Sequence, residues 1–369
     1  MTRALIVGPV CEGLNSKNGQ TNKLIQIKLL LERNYSQVEV FSTYRITKKP
    51  FRFFALLSAV RKADDVWLVL SRNGSKWLGP LLTLLLPQKK YFYTNVGIGT
   101  LLIEYEQGGY AESEVSMTDY LKKPNLWKKS KSKRLIRFYS SCTKIYVESD
   151  LMKRNFEAVY GLDNVSYLSN FRELAVSGFD RSMTKRADMT NFIFLSRIVP
   201  CKGIASLIEA AAQLKEEGVS FSIDLFGPVG LREKEWFQSV LQKADKSVVR
   251  YMGEERGDVL KRLSGYDFLV FPTESTEGMP GVVVEALFAG TPIVSSDFSY
   301  ASELIKDGKT GIIYPFTSKG GLVEAMKRAC NVSPEKWRQM SSDCKRDSSR
   351  YSIGLAEKII RKDLFNDED

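Results

Sequence analysis

Short apolar runs alternate with helical patterns along most of this 369-residue chain, and they do so in two separate series. Repetition of a short apolar strand followed by a helix calls for parallel strands joined by helical crossovers, with both faces of the sheet covered. In the first series the pattern predicts strands at Ala4–Val7, Val38–Phe41, Val66–Leu70 and Tyr91–Thr94. Helices are expected between them at about Thr21–Glu32, Phe53–Lys62 and Trp77–Leu86. The rhythm blurs over 100–145, then resumes with a strand at Lys144–Glu148, a helix at Leu151–Tyr160 and a strand at Val165–Leu168. A polar stretch from Asn170 to Thr190 lacks a clear period and reads as a linker. The second series has strands at Phe192–Leu195, Ser222–Phe226, Val249–Met252, Phe268–Phe271 and Pro292–Ser295. Its helices are expected at Ile204–Glu217, Glu233–Ala244, Gly257–Leu263 and Gly281–Ala289.

Two such series suit two α/β domains, each a Rossmann-like, doubly wound parallel sheet, facing a central cleft. The boundaries fall at 1–170 and 171–350. The remainder, 351–369, carries an amphipathic helix (Ile353–Phe365) with Ile353, Ala356, Ile359, Ile360 and Leu364 on one stripe, placed to cross back to the first domain. Open sheets of this kind bind ligands beyond the carboxyl ends of their strands, so the loops there are where chemistry is sought.

Absences narrow that chemistry. The chain has no histidine, which excludes a Ser-His-Asp triad, a Cys-His pair and a histidine-ligated zinc. The five cysteines are scattered without a CxxC spacing and read as free thiols of a reducing compartment. Asp-x-Asp occurs only as Asp367-Glu368-Asp369, a frayed acidic tail. No metal and no cofactor are therefore expected, and any bound phosphate would be neutralised by Arg, Lys and backbone N–H groups. The opening residues lead straight into a strand, without a signal peptide's apolar centre. The most apolar stretch, Trp77 to Pro87, is about half the ~20 residues of a spanning helix. A cytoplasmic chain without a membrane anchor is the expectation.

The most specific segment runs Pro272-Thr273-Glu274-Ser275-Thr276-Glu277-Gly278-Met279-Pro280-Gly281-Val282-Val283-Val284-Glu285-Ala286-Leu287. A buried strand ends at Phe271, a loop carries Glu277, and Pro280 is expected as the first residue of a helix. The amides of about Gly281 to Val283 would then be unpaired at the helix start and, with the helix dipole, suit a diphosphate. Glu285 lies one turn deeper on the face of Gly281, where a carboxylate can accept both hydrogen bonds of a vicinal diol such as ribose. Its neighbours in the helix are almost all apolar, and a lone acid in such a helix calls for a function. Glu277, outside the helix, would lie nearer a sugar.

Glu277 and Glu285, seven residues between them in a strand–loop–helix context, resemble the pair of the retaining glycosyltransferases of family 4, the glycosyl transferases group 1. Phe194-Leu195-Ser196-Arg197-Ile198-Val199-Pro200-Cys201-Lys202-Gly203 is similar to that family's Arg and Lys-Gly signature. Phe226-Gly227-Pro228-Val229-Gly230 and Tyr251-Met252-Gly253 resemble its two glycine turns, and Glu303, Asp307-Gly308 and Gly311 follow in the family's order. The resemblance is strong over 192–316, weaker over 144–172, and architectural over 1–140. It implies the GT-B fold, with Glu277, Arg197 and Lys202 as catalytic residues on the donor diphosphate. Glu285, Gly278, Met279, Pro280, Gly281, Val282, Gly227, Gly253 and Gly19 are implied to hold the donor, although the family's adjacent glycine pair is absent near Gly19. Tyr93 to Gly99 resembles the strand and turn lining the acceptor side, with Asn95 and Gly97 there. The histidine many members carry in this region is missing.

The implied activity is retaining, metal-independent transfer of a hexose from a UDP- or GDP-sugar to a saccharide acceptor. That acceptor would be a lipid-linked precursor of a capsule or exopolysaccharide at the inner membrane face. A nucleotide-sugar epimerase and a non-catalytic GT-B partner subunit are the alternatives. Charge bears on the acceptor: residues 1–170 carry 26 Lys and Arg against 14 Asp and Glu, and residues 171–369 carry 28 against 29. Within 120–139, eight cations and no anion are interleaved with Leu126, Trp127, Leu135, Ile136, Phe138 and Tyr139, and a second basic-apolar stretch spans Arg45 to Lys62. Such stretches suit an anionic membrane surface, and peripheral attachment through 120–139 is expected. No RNP, KH or zinc-finger signature accompanies them, so nucleic acid is not an expected partner.

Overall fold

The computed structural model describes residues 2–10, 19–44, 46, 51–95, 97–107, 109, 116–173, 188–255, 257–315, 318 and 320–365. The chain divides into two compact units, Met1–Glu173 with Tyr351–Asp369, and Leu174–Arg350.

The first unit is built on six parallel strands: β1 (Arg3–Gly8), β2 (Gln37–Ser42), β3 (Asp65–Leu68), β4 (Lys90–Thr94), β5 (Lys144–Val147) and β6 (Val165–Tyr167), in the order β2-β1-β3-β4-β5-β6. The connecting helices are α1 (Gly19–Glu32), α2 (Phe51–Lys62), α3 (Gly79–Leu85), α4 (Gly99–Gln107), α5 (Met117–Lys122), α6 (Lys133–Ser140) and α7 (Asp150–Tyr160). A π-helical turn, Gly74–Leu78, leads into α3. One sheet face stacks Trp67 of β3 between Phe92 of β4 and Tyr146 of β5, at ring-centroid distances of 4.8 and 5.5 Å. Leu24, Ile27 and Leu31 of α1 close over that face.

The second unit repeats the plan: β7 (Thr190–Leu195), β8 (Phe221–Phe226), β9 (Val249–Gly253), β10 (Phe268–Phe271), β11 (Ile293–Ser296) and β12 (Gly311–Tyr314), ordered β12-β11-β10-β7-β8-β9. Its helices are α8 (Ile204–Glu216), α9 (Lys234–Gln242), α10 (Val259–Ser264), α11 (Gly281–Ala289), α12 (Ala301–Leu304), α13 (Gly321–Cys330) and α14 (Pro334–Ser348). β12, α13 and α14 extend the series beyond the last expected strand. α14 is legible in sequence only through its cap, Ser333, whose hydroxyl accepts from the Lys336 amide. Its buried Asp343 and Asp347 break the apolar stripe and are paired with Arg346, Lys306 and Arg350.

The last helix, α15 (Ile353–Phe365), belongs to the first unit. Its stripe of Ile353, Ala356 and Ile360 joins the α1 core. The outgoing and returning passages of the chain are hydrogen-bonded side by side. Arg172 N–H donates to Tyr351 O at 2.8 Å, and Ile353 N–H donates to Arg172 O at 3.0 Å. Most of the expected linker, 174–187, lies outside the described residues. Among the described residues no helix is long and apolar enough to cross a membrane.

Ile360 is fully buried and Leu355, on the same helix, is exposed. Ile360→Ala is expected to destabilise the chain by about 2–5 kcal/mol in urea unfolding, and Leu355→Ala by less than about 0.5 kcal/mol.

Candidate functional site

In the second sheet the chain runs outward from β7 to β8 and β9, then returns so that β10 takes the other side of β7 and leads on to β11 and β12. Crossovers leave β7 and β10 in opposite directions, which makes this the switch point of the sheet, where open α/β sheets bind ligands. The segments singled out in the sequence flank it.

The loop after β7 holds Arg197, a 3-10 turn at Pro200–Lys202 and then Gly203. Gly203 has φ +72, and a Cβ there would run into the carbonyl oxygen of Pro272, the residue after β10. Only glycine allows that approach. The Glu274 amide fastens the contact by donating to Cys201 O at 2.9 Å. Gly227, after β8, plays the same part against the other neighbour: its φ is +152, and a Cβ would meet the Ser196 carbonyl. Gly253, ending β9, accepts from the Gly227 amide at 2.9 Å.

Lys202 lies one residue before the Gly203 contact and is held over the loop after β10. Its Nζ is 2.5 Å from Glu277 Oε1 and 5.3 Å from the Phe271 ring centroid. The two side chains are only 11% and 16% exposed, so the pair is a charge-assisted bond largely out of water. Thr273 Oγ1 lies 2.8 Å and Ser275 Oγ 3.3 Å from the same carboxylate oxygen, both as donors. Thr273 is buried, and its carbonyl accepts from Ser296 Oγ of β11 at 2.7 Å. The structure therefore adds Thr273, Ser275 and Phe271 to the residues found by sequence. The signal for Thr273 was a hydroxyl two residues after a fully apolar strand.

At the start of α11 two details differ from expectation. Pro280 is the N-cap, with ψ 126, and not the first helical residue. Its carbonyl accepts from the Val283 amide at 3.2 Å and, more weakly, from Val284 at 3.4 Å, because the first turn tightens. The uncommitted amides at this end are thus narrowed to Gly281 and Val282, which precede the first intrahelical bond, and a proline cap offers no side-chain acceptor to them. Gly278 is half-buried and Met279 buried in the loop before the cap, and Glu285 is half-buried one turn into the helix. Arg197 is exposed at the end of β7. The structure brings Lys202 to Glu277 and stations Arg197 as a cation without an ion pair among the described residues.

The residues expected on the acceptor side lie in the first unit, beyond β4. Asn95 is buried, and its Nδ2 donates to Gly97 O at 2.8 Å. Its Oδ1 accepts from Tyr93 OH at 3.3 Å. Both ends of its amide are thus used to hold the turn. The Gly97 amide donates in turn to Glu148 Oε2 at 3.3 Å. Lys23 of α1 stands 3.3 Å from Glu148 Oε1 and donates to Ser169 O at 3.1 Å. Burial pushes the Lys23 ammonium below its usual range, and Glu148 counters that shift. Gly19 opens α1, whereas residues 11–18 before it lie outside the described residues.

Residues 179–346 match the family described as glycosyl transferases group 1. This part of the chain belongs to that family. WcaL of Escherichia coli (strain K12), named for colanic acid biosynthesis as a glycosyltransferase, is 25% identical over 190 residues, covering 50% of this chain and 46% of WcaL. The amylovoran biosynthesis glycosyltransferase AmsK of Erwinia amylovora is 28% identical over 127 residues, covering 33% of this chain and 31% of AmsK. The chain thus matches less than half the length of either relative. Among solved structures, Anabaena HepE in complex with UDP and glucose superimposes with a TM-score of 0.69 at 16% identity, over 99% of this chain and 100% of that one. Sucrose-phosphate synthase of Thermosynechococcus elongatus gives 0.70 at 13% identity, over 98% of each chain. The chain has the GT-B fold, two Rossmann-like parallel-sheet domains.

The Gly203 contact is testable against Gly218, which has φ +74 but open space around its Cβ position. Gly218→Ala is expected to cost about 1–2 kcal/mol, the strain of the backbone alone. Gly203→Ala is expected to cost about 3 kcal/mol or more in the same urea titration, because the two loops must also part.

Proposed function

We propose that this group 1 chain is a retaining glycosyltransferase that moves a hexose from a UDP- or GDP-sugar to a saccharide acceptor without a metal ion. The observation that carries the reading is the Lys202–Glu277 pair before the open start of α11, at the switch point between β7 and β10. Arg197 and Lys202 would face the diphosphate, with the Gly281 and Val282 amides completing an anion site. Breaking the anomeric C–O bond leaves extra negative charge on that diphosphate, and fixed cations stabilise it as it develops. Thr273 and Ser275 keep Glu277 oriented when Lys202 turns to the phosphates, which leaves the carboxylate free to bind sugar hydroxyls. Glu285 would take the ribose diol. With departure on the face of attack, the leaving phosphate oxygen accepts the acceptor's proton, so no histidine is required.

The UDP in the HepE structure and the polysaccharide names of WcaL and AmsK support this donor class and a polysaccharide precursor as acceptor. A lipid-linked acceptor at the cytoplasmic membrane face completes the reading. Among the described residues no group of three or more Cys, Asp or Glu is gathered that could hold a metal.

Three measurements test it. UDP or GDP at 100 times its dissociation constant, in EDTA, is expected to stabilise the chain by about 2.7 kcal/mol in a thermal-shift panel, with ADP inert. The same nucleotide is expected to slow alkylation of Cys201, which is exposed next to Lys202. Lys202→Ala and Glu277→Ala are each expected to lower sugar transfer about 10²–10³-fold. Turnover abolished by EDTA, or an epimerised donor as the product, would sink the proposal.

A further inference from the structure

The basic-apolar stretches of the first unit do not act separately. α2, the Gly74–Leu78 turn with α3, and α6 meet around one open groove of about 1130 Å³. In the 120–139 stretch itself much of the apolar surface turns inward. Leu135, Phe138 and Tyr139 are buried, and Trp127 Nε1 donates to Tyr120 O at 2.8 Å. That stretch therefore presents little apolar surface of its own. What it presents is charge: Lys133, Arg134 and Arg137 are exposed along the groove.

The apolar surface comes from the neighbouring helices. Phe54 of α2 is 71% exposed, Trp77 61% and Leu84 of α3 54%, and all three line the same groove. Exposed side chains of this size gathered in one place mark an interaction surface. α6 is locked against α3 because Gly79 leaves room for the Phe138 ring, where a Cβ would collide with it. The contact carries the cations onto the apolar wall, and Arg134 lies over the Trp77 ring with Cζ 4.1 Å from its centroid. Among the described residues no carboxylate lines the groove.

We infer that this groove and its rim are the face by which the first unit docks on an anionic lipid bilayer. Phe54, Trp77 and Leu84 enter the boundary between headgroups and acyl chains, and Lys133, Arg134 and Arg137 meet the lipid phosphates. The charge decides the occupant. An apolar groove rimmed by cations alone complements a surface that is apolar within and negative at its edge, and a second copy of this equally basic face would be repelled. The inference rests on the proposed lipid-linked acceptor for its biological sense, but its measurement is independent of the donor site.

The test is co-sedimentation of the full chain with phosphatidylcholine vesicles and with vesicles containing phosphatidylglycerol. Binding is expected to the second only, and to weaken as salt rises. Trp77→Ala is expected to weaken it on the order of tenfold, and Arg134→Gln or Arg137→Gln about fivefold each. Since these side chains are exposed, each variant should keep the wild-type Tm and nucleotide shift. Equal binding to both vesicles overturns the inference, as do variants that bind like wild type. Capture of a single phosphorylated lipid from detergent, with no binding to vesicles, overturns it in favour of a pocket for one molecule. Vesicle binding without any nucleotide shift sinks the donor reading and leaves the docking face standing.

Discussion

Contact between the loops after β7 and β10 is the constraint on which the candidate site depends. Gly203 lies against the Pro272 carbonyl, and that approach holds Lys202 over Glu277. A long, flexible lysine in water would gain little from a carboxylate, since its freedom offsets the attraction. Here both chains are mostly buried, Phe271 lies beneath the ammonium, and Thr273 and Ser275 fix the carboxylate. Removing either charge would leave the other poorly solvated, which is why the pair behaves as one element.

The topology explains why the pair forms there. Crossovers diverge only where the strand order reverses, and in the second sheet that is between β7 and β10. The first sheet reverses between β1 and β3. Leu70, Ser71 and Asn73, which follow β3, line the groove of the first unit. Both functional proposals thus involve loops at strand ends, one polar and buried, the other apolar and open. A polar group can be held out of water only when its partners are supplied, as Thr273 and Lys202 supply them for Glu277. The exposed Phe54 and Trp77 have no such compensation in water, and a partner of matching chemistry removes the cost.

Alternation of apolar runs with helical periods made the two parallel sheets legible, because strands buried on both faces need continuous apolar sequence. The spacing of Glu277 and Glu285 and the Lys-Gly turn singled out the candidate segments for the same local reason: caps, turns and a lone acid in an apolar helix are short-range features. α14 escaped that reading, since its buried acids are satisfied by Lys306, far away in sequence, and by cations of its own neighbourhood. The Pro280 cap was misread by one residue because proline's φ serves a cap and a first turn equally well, and ψ alone tells them apart.

What the chain order determined by itself is the set of elements, the absence of histidine chemistry and the segments bearing acids, cations and glycines. Only the tertiary structure decided which of those side chains meet. Lys202 and Glu277 are 75 residues apart, and their contact exists because a strand inserts beside β7 late in the chain. Whether an aromatic residue is core or surface was likewise decided by packing. Phe138 and Trp77 look alike in an amphipathic sequence, yet Phe138 is buried against α3 while Trp77, with Arg134 over its ring, stays 61% exposed. Hydrophobicity sets the wish of a side chain to leave water, and only the neighbours brought by the fold can grant it.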